Sequence, residues 1–146
     1  MKNIILTIAL FTVIPFTVAT AGAQCSPSLR AEIPFDFVLN NKEIRAGSYT
    51  LSKADCNTAN PLVVLRDNTG RFIGIVNRSA VPIDSPNAHE PASMVFARYG
   101  DSYFLTEVRA PSANFSFQLR PGKHELLLAR SSDSKQVSVP VGDRKK

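Results

Sequence analysis

Met94-Val-Phe-Ala-Arg-Tyr-Gly-Asp-Ser-Tyr-Phe-Leu-Thr-Glu-Val108 sets two runs of aromatic and β-branched residues on either side of a Gly-Asp pair. Such runs favour extended backbone, and a two-residue spacer containing glycine favours a tight hairpin. With Gly100-Asp101 as the turn, Tyr99 opposes Ser102, Arg98 opposes Tyr103, Ala97 opposes Phe104 and Phe96 opposes Leu105. One face then carries Val95, Ala97, Phe104 and Thr106, and the other carries Met94, Phe96, Arg98, Tyr103 and Leu105. Both faces are apolar at mid-strand, which predicts a hairpin inside a sheet rather than at its margin. Most of the aromatics are therefore expected to fill a core. Tyr99 and Tyr103 flank the tip, where their hydroxyls can stay wet, and Arg98 over Tyr103 forms a cation–π pair. Those three residues are the candidate binding site.

On either side of this hairpin the chain repeats the same grammar. Ala31-Glu-Ile-Pro-Phe-Asp-Phe-Val-Leu39 alternates, with Ile33, Phe35, Phe37 and Leu39 on one face and Asp36 opposite. Pro34 lacks a backbone donor, which predicts an edge strand or a late start. Asn40-Asn41-Lys42 supplies a turn, and Tyr49-Thr-Leu-Ser52 reads as a short strand. Leu62–Arg66 and Arg71–Arg78 form a second hairpin around Asp67-Asn68-Thr69-Gly70, with Gly70 suited to a positive φ and Gly74 marking a bulge or close approach. The segment 80–93 carries Pro82, Pro86 and Pro91 and reads as a loop crossing between sheet halves. Asn114–Arg120 alternates strictly, with Phe115, Phe117 and Leu119 inward. Residues 121–130 hold Leu126, Leu127, Leu128 and Ala129, which predict one short helix; a Pro-Gly turn into a strand is the rival reading. Gln136–Val141 alternates and is expected as a final edge strand. The fold class is thus all-β: an antiparallel sandwich or flattened barrel of about seven to nine strands.

The beginning of the chain is of another kind. Met1-Lys2-Asn3 precedes an apolar run from Ile4 to Ala19, and small residues follow up to Ala23. A charged start, an apolar stretch and a small-x-small site are the order of a secretory signal peptide over residues 1–23, cleaved before Gln24 or two residues earlier. A spanning helix needs about 20 apolar residues; this run is shorter, holds three threonines and is broken by Pro15. Gln24 before Cys25 departs from the small residue that a lipoprotein signal places there. The exported chain is then a single β domain over 24–141 with a disordered basic tail over 142–146, destined for the periplasm or the extracellular space.

Of the 17 Lys and Arg, against 12 Asp and Glu, only Lys2 lies in the leader. The basic residues are scattered except for Arg144-Lys145-Lys146, so neither a basic stripe nor a motif points to nucleic acid. Cys25 and Cys56, the two cysteines, read as a disulfide in an exported protein, worth roughly 3–4 kcal/mol through loop closure. No C-x-x-C spacing suggests metal or redox chemistry instead.

Three segments together, Ile33-Pro-Phe-Asp-Phe-Val38, Arg45-Ala-Gly-Ser-Tyr-Thr-Leu51 and Phe96–Leu105, stand in this order behind the leader. The chain thereby resembles small exported proteins of unknown function from soil bacteria. The resemblance implies an exported β-domain and assigns no activity or site.

The chemistry of the chain is sparse. There is no Gly-x-Ser-x-Gly elbow, phosphate loop or dinucleotide fingerprint. Asp84, Ser85, His89 and Glu90 cluster in the proline-rich loop and are the candidates for a small hydrolase, although such a loop is a poor scaffold for fixing reacting groups. His124 beside Glu125 reads as a helix-start residue. Asp36, Glu43, Asp101 and Glu107 are too scattered to pair for glycoside cleavage. The expectation is an exported, non-catalytic binding or structural module of the envelope or extracellular space, with no cofactor or metal, an unidentified partner, and no membrane span once the leader is removed. The alternative is a small hydrolase using the 84–90 loop.

Overall fold

The computed structural model describes residues 28–55, 62–78, 80–83, 89–113 and 115–143. The leader, Cys25 and Cys56, residues 84–88 and the basic residues 144–146 lie outside the described residues, and the expected cleavage and disulfide lie there with them.

Among the described residues the fold is all-β with one short helix. Its strands are β1 (Leu29–Ile33), β2 (Phe37–Leu39), β3 (Lys42–Ile44), β4 (Gly47–Lys53), β5 (Val63–Asp67), β6 (Phe72–Ile75), β7 (Ala80–Pro82), β8 (Ser93–Tyr99), β9 (Ser102–Ala110), β10 (Phe115–Leu119) and β11 (Lys135–Asp143). A 3-10 turn, Pro111–Ala113, follows β9, and α1 (Lys123–Ala129) lies between β10 and β11. Nine strands follow one path, β3-β2-β9-β8-β11-β1-β4-β5-β6, with β10 beside β9 and β7 beside β10. The sheet curls into an open half-barrel. Among the described residues only the short β2–β9 contact, Val38 opposite Phe104, is parallel.

The opening hairpin forms in the expected register, Tyr99 with Ser102 through Phe96 with Leu105. Gly100 alone takes a positive φ, +60°, as a turn with glycine at its first central position requires. A bulge between Val95 and Phe96 then sets Val95 opposite Glu107. The Thr106 hydroxyl donates to the Val95 carbonyl across this irregularity. The inner face, Met94, Phe96, Leu105 and Val108, joins a core shared with Leu29, Ile33, Leu51 and Leu65 from the other half of the sheet. Val95, Ala97 and Phe104 on the outer face are buried too, so the strands are interior on both sides.

Two expectations about sheet position are corrected. The run from Ala31 to Leu39 is not one strand: β1 stops at Ile33 and β2 starts at Phe37. Pro34 cannot extend a ladder, and the Asp36 carboxylate instead accepts the Ala46 backbone N–H at 2.6 Å. Nor is β1 at a margin, since it pairs with β11 on one side and β4 on the other. Ile33, Phe37 and Leu39 still reach one core, with Phe35 packed against it.

The final strand is likewise interior. Lys135–Pro140 of β11 pair with β8, whereas residues 141–143 pair with β1. Pro140 sits at the hand-over, and the Val141 N–H donates to the Ala92 carbonyl at 2.8 Å just beyond it. Strands that pass from one sheet to another commonly do so at such a bend. The two halves of the molecule share this strand.

Turn chemistry explains the remaining corners. Asn40 and Asn41 both lie at positive φ, 51° and 63°, between the paired Leu39 and Lys42, which is the left-handed pair that a type I′ turn demands. Gly70 has φ +84° in the β5–β6 turn, and the bulge expected near Gly74 is present opposite Leu65 and Arg66. The segment after residue 79 is not wholly loop, because β7 pairs with the far edge of β10.

Candidate functional site

The hairpin tip brings Arg98, Tyr99 and Tyr103 together. Arg98 Nε donates to the Gly100 carbonyl at 2.6 Å, its guanidinium stands 3.7 Å from Asp101, and its Cζ lies 5.4 Å from the centre of the Tyr103 ring. Tyr103 is also stacked on Phe35 with centroids 3.9 Å apart and planes within 13°. Tyr99 meets Phe104 edge to face at 5.8 Å. Both tyrosines are half-buried. They are engaged with neighbouring rings as much as with solvent.

Of the loop candidates, Asp84 and Ser85 lie outside the described residues. His89 is exposed, and Glu90 stands 3.6 Å from Arg109, which also pairs with Glu107 on the same strand. Among the described residues no group of three or more His, Cys, Asp or Glu could hold a metal ion. Among them, too, no helix is long and apolar enough to cross a membrane.

A different place in the molecule is concave. Where the β2–β3 turn meets the start of α1, a cleft of about 350 Å3 opens. Val38, Phe104 and Leu105 come to it from β2 and β9, Leu119 and Arg120 from the end of β10, and Arg78 from the segment after β6. Two contacts fix the turn that forms its wall. Asn40 Nδ2 donates to the Ile75 carbonyl at 2.7 Å, tying the turn to β6. Asn41 lies so close to Gly122 that a Cβ there would strike its Oδ1. Glycine at the helix N-cap permits this approach.

Glu125 lines the same cleft and is 6% exposed, the one buried charged residue among those described. As the third residue of α1 it occupies the capping-box position relative to Gly122, whose backbone N–H favours the charged carboxylate. Burial pushes its carboxyl above the usual carboxylate range, and the Gly122 hydrogen bond offsets only part of that. Neither Arg78 nor Arg120 contributes to that balance, and neither forms an ion pair among the described residues. The cleft therefore presents two guanidinium groups and a shielded carboxyl over an apolar floor. Chemically, that lining suits a small anion with a second polar group: guanidinium takes carboxylate or phosphate in a fork, and a buried carboxyl hydrogen-bonds a hydroxyl.

Sequence reasoning missed this site because its parts come from four separated segments. Local signals were present for two of them: the Asn-Asn pair of a left-handed turn, and a Glu three residues after Gly122 at a helix start. Nothing local marks Arg78 as their neighbour. No family model matches the chain, and neither a curated protein nor a solved structure is significantly similar to it.

Proposed function

We propose that the protein is an exported, non-catalytic binding module of the cell envelope or extracellular space, and that the cleft beside α1 holds a small anionic molecule. The observation that carries this reading is the convergence of Arg78 and Arg120, free of ion pairs among the described residues, on one preformed concavity with the shielded Glu125. Pockets of roughly 300–1,000 Å3 with a few convergent polar groups are the usual form of small-molecule sites. The leader and the β-rich composition support export. The single buried carboxyl in the cleft supports recognition rather than paired acid–base chemistry.

The test is a titration of the exported form with small carboxylates and phosphate esters, followed by amide chemical shifts. We expect saturable shifts at Asn41, Arg120 and Gly122 that an Arg78→Ala/Arg120→Ala double variant loses, while its melting temperature stays within a few degrees of wild type. Equal shifts in that variant would overturn the cleft assignment. Turnover of ester, peptide or glycoside substrates that His89→Ala abolishes would overturn the non-catalytic reading and favour the 84–90 loop.

A further inference from the structure

The helix α1 is turned inside out relative to an ordinary surface helix. An amphipathic helix packs its apolar stripe inward and leaves its charges in water. Here the buried residue is Glu125, while Leu126 and Leu127 are 50% and 62% exposed. Helical spacing makes the arrangement more specific. Lys123, Leu126, Leu127 and Arg130 stand at i, i+3, i+4 and i+7, so they form one continuous stripe. All four are exposed, and Arg130 at the C-cap keeps helical backbone angles. The outward stripe is therefore two leucines with a cation at each end, and it contains no acidic side chain.

We propose that this stripe docks the protein on an anionic lipid surface, with Leu126 and Leu127 entering the interface and Lys123 and Arg130 meeting headgroup phosphates. Long basic side chains extend their stems over apolar surface while the charge stays at the headgroups. The net formal charge of +5, of which the leader holds only Lys2, has the matching sign. The size of the patch selects lipid over protein. A stable protein interface buries upwards of about 1,000 Å2 between matched surfaces, and two leucines on a convex seven-residue helix offer far less. A fluid interface needs no matched surface. One short stripe gives reversible attachment, since lasting anchorage takes more apolar insertion than this. The proposal is independent of what the cleft holds.

Vesicle co-sedimentation of the exported form tests it, with phosphatidylcholine alone and with phosphatidylcholine containing 30% phosphatidylglycerol. We expect binding to the anionic vesicles only. Leu126→Ser/Leu127→Ser and Lys123→Gln/Arg130→Gln should each weaken it by about tenfold or more, given roughly one decade or less per surface cation. Both pairs are solvent-facing, so unchanged melting temperatures establish that the variants fold. Absence of wild-type binding overturns the proposal. So does binding that both double variants retain, which would assign it to the basic residues 144–146. A wild-type dimer in the absence of lipid that Leu126→Ser/Leu127→Ser dissolves would show instead that a second copy covers the stripe.

Discussion

Asp67 organises the β5–β6 turn almost alone. Its carboxylate accepts from the Thr69 hydroxyl at 2.6 Å, from the Thr69 and Arg71 backbone N–H groups, and from Arg71 Nε, each at 3.0 Å. The Thr69 hydroxyl foremost, with the Arg71 and Thr69 N–H groups, holds this carboxyl below its ordinary range. Glu125 is displaced the other way, by burial. The two have opposite consequences for stability. A lowered folded pKa contributes stability that is present above the unfolded value and lost as pH falls through the folded one. A raised folded pKa contributes stability that is present below the unfolded value and lost as pH rises through the folded one. In urea melts between pH 2 and 8, Asp67→Asn should be less stable than wild type at neutral pH, with the gap closing on acidification. Glu125→Gln should match wild type in acid and gain on it as pH rises through and beyond the carboxylate range. Parallel curves for all three proteins would show that neither carboxyl titrates as assigned.

The hairpin β8–β9 was legible because every signal in it is local: a glycine that must take a positive φ, flanking residues that favour extension, and apolar side chains on both faces. Its register follows from the turn alone, up to the bulge at Val95. The break at Pro34 and the interior place of β11 were not legible, since periodicity fixes which side chains share a face but not which strand lies beside which. Phe104 is 3% exposed, between Tyr99 and His124 of α1. Phe104→Ala should therefore cost about 3–5 kcal/mol. Tyr99→Ala should cost less, because that ring is half-buried. Gly100 has open space around it and φ +60°, so Gly100→Val should destabilise through backbone conformation alone, by about 1 kcal/mol or more. Equilibrium urea unfolding ranks the three. A Tyr99→Ala loss larger than that of Phe104→Ala would contradict the packing described.

At the scale of the whole molecule, the half-barrel depends on one strand having two partners in succession. A chain ending before Lys135 leaves the inner edges of β8 and β1 unpaired at once, and removes Val139 and Val141 from the core. Such a truncation is expected to unfold both halves in one transition, with far-ultraviolet circular dichroism and tyrosine fluorescence lost together. A surviving β8–β9–β10 unit with protected amides in hydrogen exchange would show the halves to be independent. The cleft belongs to this scale as well, because it exists only after β2, β9, β10 and α1 are assembled, and no window of sequence contains it. The pairing of Leu29 with Asp143 also carries a kinetic consequence. The first described strand can pair with β4 early, but its other edge finds β11 only when that last strand has been made, so the sheet cannot close between β1 and β8 before then. Non-local closure of this kind slows folding. Until β11 arrives the gap between β8 and β1 stays open, and the nine residues of that strand act as the latch that closes it.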